Sequence, residues 1–283
     1  MSELNWRKFE EELFKALMAT TMVFIIGVLL VIIVTVVAKG ISSLSLSMLI
    51  EPPRNAAREG GILNAILGSL YLASGATLIA FTLALPTAIY VNEYGGRSKF
   101  ANYLRLSLDL LSGVPSVVFG FFGFILFVLW LSMGISLLAG MLTLAVLELP
   151  LMARSIELAL SMVPSELREA SYALGATKFE TILNVVLHQA LPGIITAVLI
   201  SFARGISEAA PVLFTAQFSD FIPYSLFAPS ASLPLAVYFY ISYPYESARA
   251  KAYVASLILI VIVLTINVTL RALSKRFMKY IVR

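Results

Sequence analysis

The sequence predicts an all-α integral membrane protein with six transmembrane helices. Of its 283 residues, 60% are hydrophobic and 13% charged, whereas soluble domains run near half and about a quarter. The apolar residues fall in runs close to the ~20 residues that a helix rising 1.5 Å per residue needs to cross the hydrocarbon. These runs lack the two-residue alternation of membrane strands, so the spanning elements are helices, which satisfy their own backbone groups.

The first 15 residues carry Trp6, Arg7, Lys8, Glu10, Glu11, Glu12 and Lys15 and predict a short amphipathic helix on the cytoplasmic side. The first span follows at 16–38, too long for the core of a signal peptide and therefore read as a retained anchor. Residues 39–68, with Pro52, Pro53, Gly60 and Gly61, have the composition of an external loop. The second span is expected at 69–91, bent late by Pro86, and ends in the polar turn 92–99. A third span at 106–131 contains Gly113-Val114-Pro115-Ser116-Val117-Val118-Phe119-Gly120. The fourth, at 137–152, carries Glu148 and Pro150 near its inner end. There Asp109 and Glu148 are expected to cap or pair.

Residues 166–185, E-L-R-E-A-S-Y-A-L-G-A-T-K-F-E-T-I-L-N-V, are too charged to lie in lipid and predict a short helix, a glycine break and a second helix. The fifth span is expected at 191–215. Residues 216–250, broken by Pro223, Pro229, Pro234 and Pro244, predict a loop dipping into the membrane edge. The last span is expected at 252–272. The chain thus divides into 1–68 (N-terminal segment, first span and external loop), a five-helix core at 69–273 with a charged loop at 164–188, and a basic tail at 274–283.

Six spans place both termini on one side, and the basic residues choose which. With the termini inside, the internal segments hold Arg7, Lys8, Lys15, Arg97, Lys99, Arg105, Arg154, Arg168, Lys178, Arg271, Lys275, Arg276, Lys279 and Arg283. The external segments hold only Lys39, Arg54, Arg58, Arg249 and Lys251. The positive-inside rule therefore puts both termini, and the charged loop, in the cytoplasm of a multi-pass protein of the cytoplasmic membrane.

Several chemistries are excluded. There is no cysteine for a disulfide, a thiolate ligand or a thiol nucleophile, and His188 is the only histidine, so no multi-histidine metal site is possible. His188 itself reads as an interfacial polar residue. Nothing resembles a nucleic-acid footprint, and no G-x-x-x-x-G-K-[ST] phosphate loop occurs, so this chain does not hydrolyse ATP alone. An intramembrane enzyme needs a serine with histidine, paired aspartates or a metal motif in facing spans, and none is evident.

Two places can carry function. In the charged loop, Glu166, Arg168 and Glu169 supply positioning charges. Ala170 and Ser171 are small enough for close approach, and Gly175 permits the turn that ends the helix. In the fifth span, Arg204 and Glu208 lie deep in an apolar segment, where each charge costs at least about 2.5–3.5 kcal/mol unless it faces water or a partner. Either the two only neutralise each other as an i,i+4 pair, or the guanidinium stands on the path of an anion, which it can bind with two parallel hydrogen bonds.

The pattern Glu169-Ala170-Ser171, Gly175 and Val185-x-Leu187 resembles the E-A-A-x-x-x-G-x9-I-x-L-P signature of ABC importer permeases, with His188 at the motif's proline. Ser207-Glu208-Ala209-Ala210-Pro211-Val212-Leu213-Phe214-Thr215-Ala216 resembles the G-E-T-A-P-L-L-F-T-A of A-type permeases of phosphate-specific ABC transporters. Residues 113–120 resemble that system's G-V-P-S-I-V-F-G, and Ala231-Ser232-Leu233-Pro234 its A-S-L-P. Ser207 and Ala209 depart from that pattern, which removes the family's threonine hydroxyl.

This resemblance implies a type I ABC importer permease fold. It makes the loop a cytoplasmic coupling helix for an ATPase and places Arg204 and Glu208 on the phosphate path. It also implies a second permease of the C type, an ATPase dimer that binds ATP and Mg, and an external phosphate-binding protein, with no cofactor in this chain. The alternatives are a permease for another oxyanion such as molybdate or sulfate, an ATP-independent channel, and an intramembrane enzyme.

Overall fold

The computed structural model describes residues 2–96 and 98–277. Among them, five helices are long and apolar enough to cross a membrane, or six if one pair of helices bent by 101° counts as a single span. Helix α1 (Ser2–Ser43) is one unbroken run, so the expected division into an amphipathic helix and a separate span is not observed. No proline interrupts it, and Lys15 pairs with Glu11 one turn earlier at 2.6 Å, so the helix continues from its charged start into its apolar body. It leans on the bundle through Gly40, which faces Leu257 of the last helix.

The expected external loop is structured. It holds α2 (Leu46–Ile50), capped by Ser45, and a two-residue antiparallel ladder of β1 (Pro53–Arg54) and β2 (Glu59–Gly60). Helix α3 (Leu63–Ile89) starts earlier than expected and runs through Pro86 into a π turn, Tyr90–Tyr94. Ala73, Ala76, Ala80, Ala84 and Ala88 are buried along it at helical spacing, a narrow ridge that lets α3 lie close against its neighbours.

The third span is not straight. Helix α4 (Lys99–Ser112), capped by Ser98, and α5 (Ser116–Gly123), continued by the π turn Phe124–Trp130, are bent by 101°. Pro115 explains the site of the bend, because a residue before proline is pushed out of helical geometry.

Helix α6 (Leu137–Ser161), capped by Ser136, extends well past the expected 152 and passes through Pro150. Glu148 therefore lies in its interior and is fully buried, which corrects the placement near a helix end. Asp109 does pair as expected, with Arg154 at 2.8 Å, and Arg105 pairs with Glu157 at 2.6 Å.

Helix α7 (Ser165–Ala173) is followed by α8 (Lys178–Thr181), a π turn at Ile182–Val186 and α9 (Leu187–Ser207). The fifth span thus occupies Lys178–Ser207 and stops before the expected 215. The chain leaves the helix at Glu208, whose backbone is extended, and re-forms it as α10 (Ala210–Thr215) with a proline in its first turn. Residues 216–250 contain a short helix, α11 (Leu233–Ile241), capped by Ser232 and buried mainly at its start. Helix α12 (Glu246–Phe277) begins before the expected 252 and absorbs Arg249 and Lys251. The side chains of the tail 274–283 lie outside the described residues.

The centre of the bundle is the junction of α3, α6 and α9, with Leu72, Leu144, Met152 and Ala197 in one core cluster. At the hairpin end of α3, polar groups tie the segments together. Arg58 stacks on Tyr245 at 4.1 Å and donates to its hydroxyl, Lys39 lies over Tyr253, buried Lys251 donates to the Glu59 carbonyl, and Asn64 donates to the Ser219 carbonyl at 2.6 Å.

Beside them, burial pushes the Asp220 carboxyl above the ordinary aspartate range, with Lys251 opposing the shift. An acid whose folded pKa is raised loses stability as the pH climbs through that value and none below its unfolded value. Asp220→Asn is therefore expected to melt higher than wild type at neutral pH in detergent. The two curves should converge below the ordinary aspartate range, and a difference independent of pH would refute the assignment.

Candidate functional site

The charged loop sits at the end of the bundle opposite the hairpin. Helix α7 stops where Gly175 adopts φ +87°, the left-handed conformation that favours glycine at a helix end. The second helix opens with a capping box: Thr177 and Glu180 satisfy each other's backbone N–H groups. Glu166, Glu169, Ala170 and Gly175 are exposed. So is an apolar set that sequence reasoning did not gather: Leu174 is 89% exposed, Met162 76% and Phe179 63%. Three large apolar side chains thus lie exposed around a short charged helix.

Arg168 and Ser171 point the other way. The Arg168 guanidinium donates from Nη2 to Glu93 Oε1 at 2.7 Å and from Nε to Oε2 at 3.3 Å, and it also donates to the carbonyls of Leu160, Val163 and Pro164. Glu93, 5% exposed, belongs to the π turn that ends α3. Removing one partner of this part-buried pair would leave the other charge uncompensated. Ser171 and Thr181 share a hydrogen bond of 2.9 Å. Lys178 covers the Tyr94 ring at 4.7 Å, so both legs of the loop grip the same turn. His188 is exposed, with Nδ1 3.0 Å from the Leu183 carbonyl.

The second site is the break after α9. Arg204 lies in the last turn of α9, and its Nε is 3.5 Å from Glu208 Oε1. That separation is too long for a good hydrogen bond, so the guanidinium is neither locked nor buried, with a third of its side chain open to solvent.

Directly behind this turn stands Glu148 of α6. Its Oε2 accepts from Thr77 of α3 at 2.9 Å, while its Oε1 is buried without a partner. That oxygen rests on Gly205, which leaves it room by having no side chain. Both Arg204 and Glu208 act on Glu148 electrostatically. The sequence signal for Glu148 was a lone carboxylate inside an apolar run. Thr77 and Glu93 gave none, because their partners are 71 and 75 residues away.

Two motifs read separately in the sequence meet here. Helix α5, from the 113–120 stretch, lies on α10, from the stretch after Glu208. A side chain at Gly120 would place its Cβ 2.8 Å from the Ala210 carbonyl and 3.0 Å from the Phe214 ring, and Phe121 stacks on Phe214 at 4.4 Å. Backbone cannot yield as a flexible side chain does, so Gly120→Val should cost about 1–3 kcal/mol. A thermal melt of the purified variant should show the loss, and wild-type melting would show that the two helices do not meet in this way.

The family model described as "Binding-protein-dependent transport system inner membrane component" matches residues 84–279. The chain is 32% identical over 266 residues to the phosphate transport system permease protein PstA of Haemophilus influenzae, covering 94% of each chain. It is 35% identical to PstA of Yersinia pestis, covering 95% of this chain and 91% of that one. With PstA of Mycobacterium leprae it shares 42% identity over 74% of this chain and 68% of that one. Among solved structures, an inward-facing form of the MetNI methionine ABC transporter superposes with a TM-score of 0.61 at 20% identity, over 78% of this chain and 96% of that one, which establishes the type I ABC importer permease fold. The chain is a multi-pass membrane protein that belongs to the binding-protein-dependent transport system inner membrane component family.

Proposed function

We propose that this chain is a transmembrane permease subunit of an ATP-driven importer of inorganic phosphate. The similarity to PstA proteins, running nearly end to end, is the observation that carries the reading. The geometry at the α9 break supports it, because a loosely paired, partly open guanidinium suits an oxyanion that must be bound and then released. The partners are a second permease of the C type, an ATPase dimer that binds ATP and Mg, and an extracytoplasmic phosphate-binding protein. The chain itself is non-catalytic.

Both termini and the charged loop face the cytoplasm on this reading. Arg168, Arg105, Arg154 and Lys178 lie at one end of the bundle, and Lys39, Arg58 and Lys251 at the other, which accords with the positive-inside distribution. The helix bearing Glu166, Glu169, Ala170 and Ser171 then enters a groove of the ATPase, with Leu174 and Phe179 beside it, in the helix-in-groove mode. ATP-driven closure of the ATPase pair moves this helix, the spans open outward, and phosphate passes Arg204 and Glu208 before leaving inward after hydrolysis.

The test is uptake by the complete transporter in proteoliposomes with binding proteins loaded with phosphate, sulfate or molybdate. Phosphate uptake is expected, and uptake of sulfate without phosphate rejects the cargo. Arg204→Gln should abolish uptake in a complex that still assembles. Recovery in the Arg204→Gln, Glu208→Gln double variant would reduce the pair to mutual neutralisation.

For the loop, Gly175→Pro cannot adopt a positive φ. It is expected to leave the protein in the membrane with uptake no longer following ATP hydrolysis. Normal uptake by this variant, and by one with a bulky residue at Ala170, would defeat the docking assignment.

A further inference from the structure

Two routes connect the charged loop with the turn that carries Arg204. One is covalent: the helical run from Lys178 to Ser207. The other crosses between elements. Arg168 of α7 holds Glu93 through two hydrogen bonds, and Glu93 caps the end of α3 in a π turn, an irregularity that recurs at functional positions in helices. Sixteen residues earlier on α3, about 24 Å at 1.5 Å per residue, Thr77 donates to Glu148. Glu148 in turn rests on Gly205, next to Arg204.

The near joint is held by the Arg168–Glu93 pair, with Lys178 over Tyr94 beside it. All three guanidinium nitrogens of Arg168 are engaged, two on Glu93 and the rest on carbonyls at the end of α6 and the turn after it. At the far joint Oε1 of Glu148 has no hydrogen-bond partner among the described residues, so Thr77 supplies the one hydrogen bond recorded to that carboxyl. Between the joints, α3 presents its alanine ridge to the bundle. A ridge without long interdigitating side chains suits the small sliding of one packed helix along another that characterises shear motions.

We propose that α3 is a connecting rod between the charged loop and the Arg204 turn, with Glu93 and Glu148 as positioning residues at its two ends. Movement of α7 pulls the π turn through Arg168, α3 shifts along α6, and Thr77 turns the Glu148 carboxyl against Gly205. Arg204 is thereby offered to, or withdrawn from, the path according to the position of the loop. This inference rests on the importer reading above.

The experiment compares the complete transporter in proteoliposomes carrying wild type, Glu93→Gln, Thr77→Val, Thr77→Ser and the Glu93→Gln, Thr77→Val pair. The quantities are phosphate imported per ATP hydrolysed, basal ATPase rate and subunit copurification. Glu93→Gln and Thr77→Val should each lower phosphate per ATP at least fivefold with assembly and basal ATPase retained. Thr77→Ser, which keeps the hydroxyl, should behave as wild type.

Breaking one rod twice should be no worse than breaking it once, so the paired variant should match the poorer single one, a non-additivity that independent sites do not show. If Glu93→Gln fails to assemble, Thr77→Val against Thr77→Ser decides alone. An unchanged ratio in Thr77→Val, or losses that multiply in the pair, overturns the rod and leaves transmission to α9. If the wild-type complex imports sulfate and not phosphate, the cargo reading fails and the same ratios are taken with sulfate.

Discussion

A carboxylate buried among helices in an apolar bundle constrains everything near it. Glu148 has Thr77 on one oxygen and the backbone of α9 at Gly205 against the other. The low-dielectric interior makes an unmatched polar group costly, so α3, α6 and α9 must meet at that point and in that register. The alanine ridge on α3 and the missing side chain at Gly205 are the steric conditions for the meeting. Arg204 and Glu208 occupy the next turn and the break after it, held where helix gives way to extended chain.

The loop end is tied down by charge as well as by apolar packing. Arg168, in a helix that is mostly exposed, turns inward to Glu93 and to three carbonyls. Together with Leu167, which packs against the main core, this holds α7 on the bundle, while Leu174, Met162 and Phe179 stay exposed. These three side chains flank α7 rather than lie on it: Met162 precedes the helix, Leu174 follows it and Phe179 belongs to α8. The capping box at Thr177 and the left-handed Gly175 are local features that shape the loop between its two helices.

Transporters commonly place their site where a helix is discontinuous, because freed backbone and partly open side chains can be tolerated only where they line a cavity or meet protein. The break at Glu208 has this form, and α10 after it is secured by α5, whose own start is the 101° bend at Pro115. Two discontinuities from distant parts of the sequence thus support each other. The flat contact at Gly120 and the Phe121–Phe214 stack make that support specific.

The membrane class, the number of spans, the segregation of basic residues and the helix–glycine–helix loop were all legible in the sequence. Each depends on local composition or on neighbours within a turn or two: apolar runs near bilayer length, Gly175 ending a helix, Thr177 starting one. The i,i+4 spacing of Arg204 to Glu208 was legible for the same reason. Tertiary structure alone decided that Glu148 lies at a helix junction rather than a helix end and that Arg168 binds Glu93. Those facts rest on contacts between residues far apart in sequence. A helical pattern says which face is apolar, not which helix will meet it or at what height.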